Sequence, residues 1–371
     1  MNNLGLYIHV PFCQRKCYYC NFYSARADRE TIDSYCDKVC QAIKSYPFSH
    51  KIADTIYFGG GTPSLAGAKN IDKLLNAVYS KFSVSSPEIT LEANPTSLDK
   101  NELSSYKNMG ITRLSFGVQS LDNDQLKKIG RAHSRSEVIS CLEKAVSLGF
   151  PSVSADLMLG LPNENKNRLE DFVRTMDEIG VSHISSYMLK IEEGTALSKM
   201  EVRKQCCDED EMADVYEFMV KLLSSYGYEQ YEISNFARDK KFSLHNIKYW
   251  SLEDYIGIGP SAHSFIDGKR YAFNLTTKEF LAEKNPYDRL ELVSEGGDFV
   301  DFLMLGLRLK WGVSIDEIML RGEKENIDTK KILARADIMA KEGLAIKTDR
   351  LSLTTKGYLL SNSVISFLLW G

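Results

Sequence analysis

From residue 4 to about 235 the apolar positions fall into short runs rich in β-branched and aromatic residues, separated by longer stretches with apolar residues at i, i+3 and i+4. The runs at 4–10, 55–58, 88–93, 113–118, 152–159 and 183–191 predict strands, and the stretches between them predict helices. Six such βα units imply a parallel sheet, and right-handed crossovers curl it into a full or partial barrel with its site at the C-terminal ends of the strands. An open doubly wound sheet is the alternative. Within 31–46, Ile32, Tyr35, Cys36, Val39, Cys40 and Ile43 recur at helical spacing, which assigns both cysteines to core packing. Cys141, among Val138, Leu142, Ala145 and Leu148, reads the same way. After about 298 the pattern changes. Helical spacing at 302–309 and 331–341, then apolar runs at 344–347 and 351–354 around a turn, predict a small winged-helix-like domain. The expected division is 1–235 for the partial barrel, 236–297 for a linking segment and 298–371 for the C-terminal domain.

Composition narrows the function classes. The 371 residues carry a net charge of −4 spread over mixed acidic and basic residues, which gives no electrostatic case for a nucleic-acid partner. The segment 364–370 is apolar but far below the ~20 residues of a spanning helix. The start, Met1-Asn2-Asn3-Leu4, lacks the basic and apolar regions of a secretory leader. Eight cysteines in such a chain point to a reducing cytoplasm, with thiols used for metal binding or packing.

Three of those cysteines carry the strongest chemical signal. Cys13, Cys17 and Cys20 form a CxxxCxxC run directly after the first strand. Three thiolates can hold three irons of a [4Fe-4S] cubane and leave the fourth iron open to a ligand. A zinc knot using His9 as a fourth ligand is the rival. The Cys206-Cys207 pair stays unassigned. Gly59-Gly60-Gly61-Thr62-Pro63 follows the second strand and lets a ligand approach bare backbone, while lacking both the Walker ending and the dinucleotide fingerprint. Alternation in the first strand sends Tyr7 and His9 to one face. Glu92, Gln119 and Asp156 stand at or near later strand ends, with Arg131 in a following turn, and single polar groups from several strand ends are how a barrel builds one site.

The cysteine triad, Tyr19 beside its last member and the glycine loop together resemble the radical S-adenosylmethionine (SAM) superfamily. The segments Leu91-Glu92-Ala93-Asn94-Pro95, Ser115-Phe116-Gly117-Val118-Gln119-Ser120 and Gly130-Arg131-Ala132-His133 resemble, more narrowly, the branch that holds oxygen-independent coproporphyrinogen III oxidase and the haem chaperone HemW. The likeness runs over most of the chain. It implies an α/β fold, a partial (βα)6 TIM-like barrel with an accessory C-terminal domain serving as lid or docking surface. It further implies a [4Fe-4S] cluster on Cys13, Cys17 and Cys20, with SAM on the open iron. By the same resemblance Tyr7, Gly60, Gly61, Thr62 and Glu92 match SAM contacts, Tyr19 lies against the adenosyl region, and Gln119, Arg131 and Asp156 surround the pocket.

Two features bear on which member of the branch this is. The oxidase pattern has a further cysteine two residues past the triad, where this chain has Phe22, so oxidase activity is not expected. The run His245-Asn246-Ile247-Lys248-Tyr249-Trp250 is similar to the HNxxYW haem-handling pattern, which makes His245 the candidate haem ligand with Tyr249 and Trp250 as flat apolar surfaces. The resemblance therefore implies a cytoplasmic haem chaperone that binds haem as cargo and transfers it to apo-haemoprotein acceptors. It leaves open membrane respiratory proteins among those acceptors, attachment at the inner face of the membrane, and a homodimer. The alternatives are a radical SAM enzyme that decarboxylates coproporphyrinogen III oxidatively, or a haem-degrading relative.

Overall fold

A computed structural model describes residues 3–47 and 51–371. Its main sheet begins with β1 Asn3–Val10, β2 Ile52–Gly60, β3 Ser83–Ala93, β4 Arg113–Gln119, β5 Ser152–Leu159 and β6 His183–Met188, each parallel to the next. The sheet continues with β7 Glu229–Gln230 and β8 Asn235–Ala237 beyond β6, and with β9 Tyr255–Ile258, β10 His263–Ile266, β11 Lys269–Ala272 and β12 Glu291–Glu295 beyond β1. β9 pairs parallel to β1, whereas β8 is antiparallel to β6. The two ends of the parallel run thus meet different partners, and the six-stranded barrel is partial.

Helices cover the outside: α1 Arg29–Ser45, α2 Ala68–Lys81, α3 Lys100–Asn108, α4 Asn123–Lys128, α5 Arg135–Ser147, α6 Lys166–Ile179 and α7 Glu209–Ser225. Each of α1, α3, α5, α6 and α7 starts at an Asp, Asn or Ser whose side chain accepts a first-turn backbone N–H, so the sequence marks where each begins. α1 buries Ile32, Tyr35, Cys36, Val39, Cys40 and Ile43, and α5 buries Cys141, as their spacing predicts. α8 Leu244–Trp250 and α9 Thr277–Ala282 complete this body.

The C-terminal region comprises α10 Phe299–Gly306, β13 Val313–Ser314, α11 Ile315–Glu325, α12 Thr329–Lys341, β14 Ala345–Lys347, β15 Arg350–Leu353, α13 Thr355–Leu359 and α14 Ser361–Trp370. Two helices followed by the β14–β15 hairpin, with β13 completing a three-stranded antiparallel sheet, give the order of a winged helix. Among the described residues no helix is long and apolar enough to cross a membrane.

The strand expected over 183–191 ends at Met188. Beyond it the chain leaves the sheet as an irregular strap whose Leu197 N–H donates to Tyr18 O at 2.7 Å, across to the cysteine loop. Its Glu192 lines the cavity described next.

Candidate functional site

The C-terminal ends of β1 to β6 open into one cavity of about 650 Å³, within the range of small-molecule sites. Cys13, Cys17 and Cys20 form part of its wall together with Tyr19, Gly60, Gly61, Thr62, Glu92, Gln119, Arg131 and Asp156. Ten of the residues that sequence reasoning singled out, from six different segments, therefore share its wall with Gly60 of the glycine loop.

Backbone pairing fixes the cysteine loop to the glycine loop. Gly61 N–H donates to Val10 O at 2.9 Å and Thr62 N–H to Phe12 O at 2.8 Å, while Cys13 N–H donates to Ala25 O at 3.0 Å. Thr62 Oγ1 lies 3.7 Å from Cys13 Sγ. Arg131 Nη1 donates to Cys17 Sγ at 3.4 Å, and its Nη2 donates to Gly117 O. Burial pushes the Cys13 and Cys20 thiols up, opposed at Cys13 by the Thr62 hydroxyl. Tyr19 packs on the small apolar cluster of Ile129, Met158 and Leu161, which turns its ring to the cavity wall.

Two carboxyl groups, Glu92 and Asp156, share the same wall. Burial pushes Glu92 up to about 7 and the Asp156 charge adds to this, against hydrogen bonds from the Tyr57 hydroxyl at 2.8 Å and Gly60 N–H at 3.1 Å. Burial likewise pushes Asp156 up to about 6, opposed by the hydroxyls of Ser185 and Ser115, the latter at 3.3 Å. Gln119 sits at a register shift of β4 with φ 70°, a left-handed conformation that costs a non-glycine residue about 1 kcal/mol. Strain of this kind collects at functional sites.

The wall fits a bound polar group. Gln119 Oε1 and Arg131 Nε are buried without a hydrogen-bond partner among the described residues, and each belongs to a side chain that lines the cavity. With three mutually interacting thiols in the wall, an unpartnered amide oxygen and guanidinium nitrogen, and two carboxyls, the donor set suits an iron-sulfur cluster beside an amino-acid-like, hydroxyl-bearing ligand.

Tyr7 stands one layer below this wall, its hydroxyl 2.9 Å from His9 Nδ1. His9 Nε2 has no partner among the described residues, and burial lowers the ring to about 4. The glycines have a second use. A Cβ at Gly59 would stand 2.8 Å from the Tyr7 ring and 2.9 Å from the Tyr57 ring, and one at Gly60 would stand 2.7 Å from the His9 ring. Both leave room for the aromatic floor of the cavity as well as for a ligand. Tyr57 is a site residue that sequence reasoning missed. Its signal is its place two residues before Gly59, on the same face of β2 and in register with Tyr7.

His245 is not part of the cavity wall. It is fully buried in α8, with Nδ1 2.8 Å from Thr55 Oγ1 and Nε2 2.9 Å from the Tyr249 hydroxyl. Trp250 is half-buried at the end of the same helix. At the cavity mouth, by contrast, Phe22 is 74% exposed and has Arg15 and Lys16 nearby on the same loop.

Residues 7–176 match the model of the radical SAM superfamily. The chain is 32% identical to the haem chaperone HemW of Lactococcus lactis over 366 residues, 96% of this chain and 95% of that protein. It is 35% identical to HemW of Bacillus subtilis over 318 residues, 83% and 84% of the two chains. The coproporphyrinogen III oxidase HemN of Escherichia coli superposes with a TM-score of 0.83 over 99% of this chain and 90% of that one, at 21% identity, which is a likeness of fold.

Proposed function

From the premise that the chain belongs to the radical SAM superfamily and, within it, to the HemW family, we propose that it is a haem chaperone that binds haem and passes it to apo-haemoproteins. The observation that carries this reading is the end-to-end likeness to HemW at 32% identity over 96% of the chain. Phe22 supports it: where the oxidase pattern has a thiol, this chain presents an exposed apolar ring at the cavity mouth.

In this reading Cys13, Cys17 and Cys20 hold a [4Fe-4S] cluster. SAM occupies the adjoining cavity, with Gly60, Gly61, Thr62 and Tyr19 against it. The cluster supplies an open iron able to chelate an amino acid and to pass one electron. Arg131, already bonded to Cys17 and Gly117, offers its unpartnered Nε to a carboxylate. Gln119 Oε1 and Glu92 accept hydrogens from ammonium or hydroxyl groups. Burial holds the Glu92 carboxyl above its usual range, and the Tyr57 hydroxyl and Gly60 N–H donate to it and fix its position in the wall. Haem is the cargo, and the apolar and cationic mouth of Phe22, Arg15 and Lys16 matches a flat apolar dianion in chemistry.

A haem titration and a porphyrinogen turnover assay on one anaerobic, cluster-loaded sample test the proposal. We expect a saturable Soret band and no protoporphyrinogen. Absence of saturable binding would refute the chaperone reading, and stoichiometric protoporphyrinogen would replace it with the oxidase.

A further inference from the structure

The HNxxYW segment has no part in the cavity wall, yet it is built into the floor beneath it. Inward-facing residues of the first three strands form layers, set by the register Gly5↔Thr55, Tyr7↔Tyr57 and His9↔Gly59 between β1 and β2, and Thr55↔Glu88 and Tyr57↔Thr90 between β2 and β3. α8 meets the lowest layer, near the N-terminal ends of the strands. Glu88 accepts the N–H groups of Leu244 at 3.2 Å and His245 at 3.1 Å, and Thr55 holds the His245 ring. Gly5 makes the approach feasible, because a Cβ there would stand 3.1 Å from His245 Cε1.

From that anchor the contacts rise to the cavity. The His245 ring centroid lies 5.1 Å from that of Tyr57 and 6.5 Å from that of Tyr7, in the middle layer. Tyr57 donates to Glu92 and Tyr7 bonds His9, both in the top layer, where Glu92 lines the cavity and His9 lies against Gly60. Barrel layers are ordinarily filled by Val, Ile and Leu. Here a polar and aromatic column replaces them, and buried polar groups are unfavourable unless each is bonded. His245 meets that condition at both nitrogens, which fixes its ring plane and so the two tyrosine rings against it, Tyr7 stacked and Tyr57 tilted.

We propose that His245 is a positioning residue for the cofactor cavity: clamped by Thr55 and Tyr249, its ring holds Tyr57 and Tyr7, and through them Glu92 and His9, in the geometry that receives SAM. This inference rests on the reading of the cavity as a SAM site. It assigns the HNxxYW motif to the floor of the barrel, and the haem contacts lie elsewhere.

The test measures SAM affinity by calorimetry on anaerobic cluster-loaded protein, the response of the reduced cluster's EPR spectrum to SAM, and the Soret titration with haem. Tyr249→Phe removes only the hydroxyl on His245 Nε2, and His245→Ala removes the ring. Ile318→Val, in the core of α11, is the control for loss of stability without contact to the column. We expect SAM to bind about fivefold more weakly in Tyr249→Phe, the equivalent of one hydrogen bond, and more weakly still in His245→Ala. The EPR response to SAM changes in both variants, haem saturation is retained, and Ile318→Val binds SAM as the wild type does. Wild-type SAM affinity in Tyr249→Phe would overturn the inference even if His245→Ala failed to fold. Loss of the haem band with SAM affinity intact would overturn it in favour of ligation. A wild type that binds no SAM would overturn the cavity reading and this inference with it.

Discussion

Replacing Gly61 by alanine asks whether the glycine loop and the cysteine loop move as one unit. A Cβ at Gly61 would stand 2.6 Å from Phe12 O and 2.9 Å from its C and N atoms. That is roughly 1 Å short of an ordinary carbon contact. The obstacle is backbone, so no rotamer change relieves it. Gly61 N–H and Thr62 N–H hold Val10 O and Phe12 O from either side of the clash, and Cys13 follows directly. Alanine must therefore push residues 10–12 away from 61–62 and carry Cys13 off Thr62. Overpacking of this kind costs about 1–3 kcal/mol, and weakening two backbone hydrogen bonds adds about 1 kcal/mol. Gly110→Ala is the control. Its φ is 90° and nothing stands within 4 Å of the added carbon, so it should cost only the left-handed strain of about 1–2 kcal/mol. Urea unfolding of the apoprotein reads stability, and iron and sulfide analysis after anaerobic reconstitution reads the cysteine loop. We expect Gly61→Ala to lose both stability and iron, and Gly110→Ala to lose stability alone. Wild-type stability and full iron content in Gly61→Ala would refute the reasoning, because the backbone would then have yielded freely.

Burial raises Glu92 from 4.5 to about 7, so the folded state holds a proton that the unfolded chain has already released across that window. Its contribution to stability is therefore fully present below pH about 4.5 and lost as pH rises to about 7. Urea midpoints of the apoprotein at pH 5 and pH 8 should show the wild type losing stability relative to Glu92→Gln; taking the difference removes the buried histidines, whose lowered values act with the opposite sign. Lys248 has a side chain only 4% exposed and bonds Asp54 at 2.9 Å and Glu253 at 2.7 Å, so Lys248→Met should cost about 1–3 kcal/mol in urea unfolding, reduced from a fully buried pair because both carboxylates reach solvent. Phe22→Ser should shift stability by less than about 0.5 kcal/mol. In a haem titration it should weaken binding by on the order of tenfold, as the loss of one aromatic contact would; unchanged haem affinity would remove Phe22 from the cargo site.

The six parallel strands were legible because each is a run of apolar residues between helical stretches, and burial on both faces keeps those runs nearly continuous. The cavity wall was legible for a related reason: strand ends can be located from the sequence, and in a barrel they converge. What escaped notice depends on pairing across long separations. β9 lies about 250 residues from β1, is four residues long and contains Gly257, so nothing local marks it as the parallel neighbour of β1. The second use of Gly59 and Gly60 is hidden in the same way, since it appears only once Tyr7 and Tyr57 are known to be in register. His245 lies in a short polar and aromatic segment that reads as a surface loop. Its burial follows from Gly5 and Glu88, residues distant in sequence that admit and cap α8.

The placement of His245 also sets what ligation by it would require. Burial and the Lys248 charge lower the ring to about 3, so it is neutral at physiological pH and protonation is no barrier to binding iron. The barrier is mechanical. Freeing either nitrogen breaks a hydrogen bond of about 1 kcal/mol, and drawing a fully buried ring from between Tyr57 and Tyr249 leaves a cavity worth about 2–3 kcal/mol more. A total of about 3–4 kcal/mol lowers apparent affinity by roughly two to three orders of magnitude. Ligation by His245 therefore predicts that loosening α8 strengthens haem binding, because part of that barrier is removed in advance. A positioning role predicts the reverse pattern, with weaker SAM binding and unchanged haem affinity. Lys248→Met loosens α8 without touching the His245 ring nitrogens, so haem and SAM titrations of that variant separate the two roles. A gain in haem affinity there would reinstate His245 as the ligand, and a loss confined to SAM would leave the motif as the floor of the cofactor cavity.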